Sequence, residues 1–208
     1  MPLVRRGAAT LPENENDDRD CLALLAGGTV DERWGAARLA ATLPGGVDAL
    51  GAALGTETNV RVRSAIFTSL TQVASPASVD AVLPYLRTDD ANVRAGALDA
   101  LRAMPRAVLP RLPDLLSDAD TDVRILSCEI ARCLAPAEAT RLLCDLLDRE
   151  TDANVCAAAV DVLAEIGQTE AEPALRRCAG RFPGEAFIGF AVKVALRRVS
   201  IQADDAGD

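Results

Sequence analysis

The side chains able to do chemistry in this chain are six cysteines, a few paired acids and a series of arginines. The cysteines are Cys21, Cys128, Cys133, Cys144, Cys156 and Cys178, and no two are spaced as CxxC, the arrangement that favours zinc or disulfide exchange. Four of them fall inside apolar helical patterns and read as buried, reduced thiols. Asp17-Asp18 and Asp89-Asp90 offer paired carboxylates, but adjacent acids in polar turns read as solvated helix caps. Histidine is absent, which removes the commonest general base and the commonest metal ligand together. Neither a Ser-His-Asp set nor a P-loop is present. Gly27-Gly28 and Gly45-Gly46 read as helix C-terminal turns, not a phosphate cradle. The residues therefore predict no catalytic group, no metal and no cofactor.

The arginines lead to the elements that hold them. TDDANVRAGALDALRAM, from Thr88, has relatives beginning at Val30, Asn59, Thr121 and Thr151. Taking the second residue of each Val-Arg-like pair as register zero gives Arg33, Arg63, Arg94, Arg124 and Cys156, separated by 30, 31, 30 and 32 residues. A period this regular predicts stacked repeats. Each repeat reads as two helices. Helix A ends in a leucine-rich turn, with Leu25, Leu54, Leu86, Leu116 and Leu147 equivalent. Helix B starts four residues before register zero at Thr29, Asn59, Asp90, Asp120 or Asp152, all good N-caps. Asp90 and Asp120 also precede Arg94 and Arg124 by four residues, a spacing that suits an ion pair.

Positions −1, +3, +7 and +10 of helix B carry apolar or small residues at helical spacing and should be buried. Gly35, Ala65, Gly96 and Ala158 should permit close approach of neighbouring helices. Pro44, Pro76, Pro105 and Pro136 follow successive B helices, and Pro84 should kink a helix A. A degenerate sixth unit puts Gly189 at register zero and Ile188, Val192, Leu196 and Val199 on its apolar face.

Composition agrees with helices packed through small side chains: half of the 208 residues are apolar and only 3% aromatic. The net charge of −9 argues against nucleic acid and anionic membranes as partners. No apolar run is long enough to span a bilayer, so a cytoplasmic protein is expected. The domain reading is a disordered lead over 1–15, a repeat domain over 16–199 and an acidic tail over 200–208.

Asp90-Ala-Asn-Val93-Arg94 and Asp120-Thr-Asp-Val123-Arg124 resemble the short HEAT-like repeats of the bilin-lyase (PBS lyase) type. Cys156, where Arg is expected, and Glu32-Arg33 in the first unit depart from that pattern. The resemblance covers roughly residues 18–199. It implies an all-α, right-handed solenoid of about six antiparallel helix pairs whose B helices line a concave side, with the Asp and Arg ladder tying repeats together. It further implies a non-enzymatic adaptor or scaffold for another protein or peptide, in a signalling or multiprotein assembly. A bilin lyase or chromophore chaperone, and a structural subunit of a larger complex, stand as alternatives.

The exposed face of the B helices, positions +1, +5 and +8, should then carry function. The candidate protein-binding residues are Trp34, Arg38, Thr68, Asp99, Arg102, Glu129, Arg132, Asp161 and Phe190. Trp34, the single tryptophan, beside Arg38 has the composition of an interface hot spot. Alternatively it packs on the N-terminal segment. Ile125 and Phe190 become core residues if the register slips by one.

Overall fold

The computed structural model describes the backbone of residues 15–205 and the side chains of residues 18–200. Every regular element in that span is helical. The chain divides into two compact units, residues 1–100 and 101–208.

In the first unit, α1 (Glu15–Gly27), α3 (Gly46–Leu54) and α5 (Pro76–Val82) are A helices, and α2 (Val30–Ala40), α4 (Val60–Val73) and α6 (Ala91–Arg102) are B helices. The division between the units falls inside α6. Helices of one kind stack on their own kind: α1 on α3, α3 on α5, and α2 on α4. The second unit repeats the scheme. Its A segments are the broken run α7 (Pro105–Val108) and α8 (Leu112–Leu115), then α10 (Pro136–Arg149) and α12 (Glu172–Arg181). Its B helices are α9 (Thr121–Ala131), α11 (Ala153–Ile166) and α13 (Ala186–Asp205), with α11 packed on both α9 and α13.

The caps sit where the spacing places them. Thr29 accepts from the Glu32 amide while the Glu32 carboxylate accepts from that of Thr29, a reciprocal capping box. Asn59 caps Arg61 and Val62, Asp90 caps Asn92 and Val93, Asp120 caps Asp122, and Asp152 caps Asn154 and Val155. Each satisfies amides that the first helical turn would otherwise orphan. Pro76, Pro105 and Pro136 open A helices at their first turn, where no amide hydrogen is needed. Pro84 and Pro110 fall in 3-10 turns, Leu83–Arg87 and Leu109–Arg111, which break those two A segments.

The expected stripe is buried at three of its four positions and only partly at +10, where Met104 and Leu134 are buried but Leu43, Val73 and Ile166 are half-buried. Val62, Val93, Val123 and Val155 at −1, all five residues at +3 and all five at +7 lie in the core. So do the five equivalent leucines of the A helices, and Ile188, Val192 and Val199 of the sixth unit, whereas Leu196 is half-buried. The buried arc also takes in positions outside that stripe. Ala37, Phe67, Cys128 and Val160 at +4, and Ser69, Ala100, Ile130 and Val162 at +6, are buried too. A B helix such as α11 touches its own A partner as well as both flanking B helices, so a broader arc of its surface is covered.

Two local expectations are corrected. Arg94 and Arg124 do not act through the cap residue four positions earlier. Arg94 donates to the Thr88 carbonyl (2.6 Å), and Arg124 to the Asp118 carbonyl (2.8 Å) and the Glu150 carboxylate. The cap carboxylates are turned onto the first-turn amides instead, and Asp90 lies 3.7 Å from Arg63. Gly35 is not at a close approach, since a Cβ there would meet nothing within 4 Å.

What emerges is a ladder running from one repeat to the next. Arg33 grips Glu57 (2.7 Å) and the Gly28 carbonyl; Arg124 grips Glu150 (2.8 Å) and the Asp118 carbonyl. In each case register zero of one B helix reaches the acid six residues before register zero of the next. Glu57 and Glu150 are almost fully buried, and each also accepts from backbone amides, Asn59 in one case and Thr151 with Asp152 in the other. Where Cys156 replaces the arginine, Arg181 supplies the guanidinium, donating to the Leu147 and Glu150 carbonyls.

The lead expected over residues 1–15 and the end of the tail lie outside the described residues, except that α1 begins at Glu15 and α13 continues to Asp205.

Candidate functional site

In the first unit the exposed face of the B helices forms two grooves, one on each side of α4. The groove between α2 and α4 has a volume of about 410 Å³ and is bordered by Trp34, Arg38, Arg61 and Thr68. The groove between α4 and α6, about 610 Å³, is bordered by Arg63, Phe67, Thr68 and Asp99. Ser64, Thr68 and Gln72, on the crest of α4, line both. Packing explains the larger one. Phe67 lies over Gly96, where a Cβ would stand 2.8 Å from the ring, so α6 offers no side chain to fill the space above.

Trp34 is half-buried between two guanidiniums. Arg38, one turn along α2, lies 4.7 Å from the indole centroid, and Arg61, from the first turn of α4, lies 4.4 Å away. Arg61 also holds Asp31 at 2.6 Å, a rim pair whose carboxylate is mostly in solvent. Arg61 was not among the residues expected at the site. It stands two positions before register zero, outside the helical face that the spacing marks. The alternative contact for Trp34, the N-terminal segment, lies outside the described residues.

The second unit arranges its candidates differently. Arg132 donates to Glu129 (3.1 Å), to Asp161 on the next B helix (2.8 Å) and to Glu165. Donation to Glu129, then to Asp161, holds the guanidinium above its ordinary value, so it stays charged at any working pH. Three carboxylates surround one cation, so this cluster ties α9 to α11 and presents a net negative face. Ile125 is half-buried, whereas Phe190 is 70% exposed and Phe187 44%, so α13 opens with an exposed aromatic pair. Asp99 is exposed and Arg102 half-buried, and both are engaged with other groups.

Cys128, Cys156 and Cys178 are buried, whereas Cys21, Cys133 and Cys144 are half-buried. Cys128 is pushed up to about 12 by burial and by Glu129 and Glu150, and Cys144 to about 11 by burial and neighbouring aspartates. A thiol held that high is a poor nucleophile at neutral pH. Among the described residues no group of three or more Cys, Asp or Glu side chains is placed to hold a metal. No described helix is long and apolar enough to cross a membrane.

Helix pairs stacked A on A and B on B, with capped B helices and a ladder between repeats, define an α-helical repeat solenoid. The chain belongs to the HEAT-repeat family, whose model matches residues 47–130 and again 108–186. No curated protein matches the sequence. Among solved structures it is similar to the archaeal HEAT-like repeats protein from Thermococcus onnurineus NA1, at 13% identity over 90% of this chain and 88% of that one, with a TM-score of 0.50. It is also similar to the complex of CpcE and CpcF of phycocyanin lyase from Nostoc sp. PCC7120 (18% identity, 98% and 99% covered, TM-score 0.40). A designed armadillo repeat protein matches at 18% identity, 86% and 98% covered, with a TM-score of 0.41.

Proposed function

We propose that the protein is a non-enzymatic scaffold that binds another protein or peptide across the exposed face of its B helices. The observation that carries this reading is the pair of grooves flanking α4, whose borders include Trp34, Arg38, Thr68 and Asp99, side chains that do not build the repeat. Register zero, the caps and the apolar stripe build the fold, whereas Trp34, Arg38, Thr68 and Asp99 vary from repeat to repeat and face outward. A cation-stacked tryptophan beside open polar groups has the make-up of an interface anchor. In the second unit the Arg132 cluster, with Glu129 and Asp161, contributes an acidic surface and Phe190 an apolar one.

The test is affinity capture from the native cell extract with the intact chain, a Trp34→Ala/Arg38→Gln variant, and a control altered on an A helix at Arg141 and Asp145. Partners lost with the first variant and kept with the control support the B-helix face. Partners kept by both place the binding surface elsewhere.

A second reading, a structural subunit of a larger complex, is favoured by Phe187 and Phe190. Sedimentation of Phe187→Ser/Phe190→Ser against the parent chain tests it. A constant assembly that dissociates in the variant supports a permanent apolar interface.

A further inference from the structure

We infer that the groove between α2 and α4 takes an acidic peptide segment, one of whose carboxylates docks on Arg38; this rests on the B-helix reading above. The chain carries a net charge of −9, yet this groove is lined by two arginines and no carboxylate. Arg61 is already held by Asp31. Arg38 is exposed, touches the Trp34 ring, and has no carboxylate partner among the described residues.

A guanidinium stacked by its face on an indole keeps its edge free, and the edge is where the N–H donors point. That edge matches the two oxygens of a carboxylate. Stacking also fixes the side chain before a ligand arrives, so less rotamer freedom is lost on binding. Beside Arg38, Ser64 and Gln72 offer exposed polar groups to a peptide backbone, and half-buried Leu39 offers apolar surface to an adjacent aliphatic side chain. The groove continues over the crest of α4 into the larger one through Ser64, Thr68 and Gln72, which suits an extended segment better than a compact small molecule. The carboxylate-rich cluster around Arg132 would repel the same ligand, so the site is local to the first unit.

Trp34 is the only tryptophan, so its emission reports on this groove alone. The probes are fluorescein-labelled twelve-residue peptides of alternating Glu and Leu with Ser spacers, and matched peptides with Gln or Lys in place of Glu. The expected result is a Trp34 emission change with the Glu peptide and binding about tenfold weaker for the Gln peptide, the loss of one groove-bound charge pair. Affinity should fall as salt rises. Arg38→Gln should weaken the Glu peptide by about tenfold, and Arg38→Lys should restore part of it. Circular dichroism confirms that each variant is folded. A Glu peptide that binds no better than its Gln or Lys counterpart, or whose affinity is unchanged by Arg38→Gln, overturns the inference. A Gln or Lys peptide that moves Trp34 emission while the Glu peptide does not overturns it and leaves the B-helix reading standing.

Discussion

Arg124 and Glu150 meet across a repeat boundary, Nε to Oε2 at 2.8 Å, and both side chains are largely withdrawn from water. Glu150 also accepts from the Thr151 and Asp152 amides, so one carboxylate closes the turn before α11 and fastens α9 to it. Removing one partner of such a pair leaves a buried charge and orphaned amides. Glu150→Ala should therefore cost about 2–4 kcal/mol, read from urea unfolding. Asp122→Ala, in an exposed first-turn position, should cost less than about 1 kcal/mol. Equal losses would remove the ladder from the account.

Acid should weaken the fold through the same carboxyls. Glu57 is held below its ordinary value mainly by the Arg33 hydrogen bond. For Glu150, burial pulls upward, but donation from Asp152, Arg124 and Thr151 outweighs it and the net shift is downward. The unfolded chain takes up these protons near pH 4.5, the folded one only at lower pH. Their contribution is thus complete above about pH 4.5 and is lost as pH falls through the folded values. Melting midpoints between pH 7 and pH 3 should show a steeper fall for the parent chain than for Glu57→Gln/Glu150→Gln. Parallel curves would contradict this.

Two glycines in equivalent places should respond in opposite directions. Gly35→Ala puts a methyl into open space in the middle of α2 and should stabilise by about 0.5–1 kcal/mol. Gly96→Ala drives a methyl into the Phe67 ring and should destabilise by about 1–3 kcal/mol. Adding Phe67→Leu to Gly96→Ala should recover part of the loss, a coupling that a double-mutant cycle measures.

Ala74 ends α4 in a left-handed conformation, φ 47° and ψ 38°, with its amide bonded to the Leu70 carbonyl. Glycine adopts that conformation without the Cβ penalty. Ala74→Gly should raise stability by up to about 1 kcal/mol in thermal melts, whereas glycine substitutions inside helices lower it. A loss on Ala74→Gly would show that the cap is not under strain.

The caps, the helix B stripe and the repeat boundaries were legible because each is set by neighbours within a few residues. Asp90 and its equivalents cap helices wherever they occur, and Val93, Ala97 and Leu101 share a face by helical geometry alone. The partners of the arginines were not legible, because stacking chooses them across some thirty residues. Arg124 looked paired with Asp120 until Glu150 arrived from the next turn. A repeated acid at Glu57, Asp118 and Glu150, six residues before register zero, was the available signal. Arg132 looked open for the same reason, since the spacing places it outward but does not show that Asp161 and Glu165 close over it. Trp34 and Arg38 were readable as a pair one turn apart, whereas Arg61 reaches them only because α4 packs on α2.

The central claim is that residues outside the repeat, and not the repeat itself, meet the partner. Arg38→Glu tests it most directly, because Arg38 is exposed and the ladder does not use it. The measurement is partner capture by this variant at matched concentration, with its melting midpoint recorded alongside. The account predicts a midpoint within about 2 °C of the parent chain, as for a surface change, and loss of the captured partner. A variant that melts like the parent and captures the same partner to the same extent would contradict it.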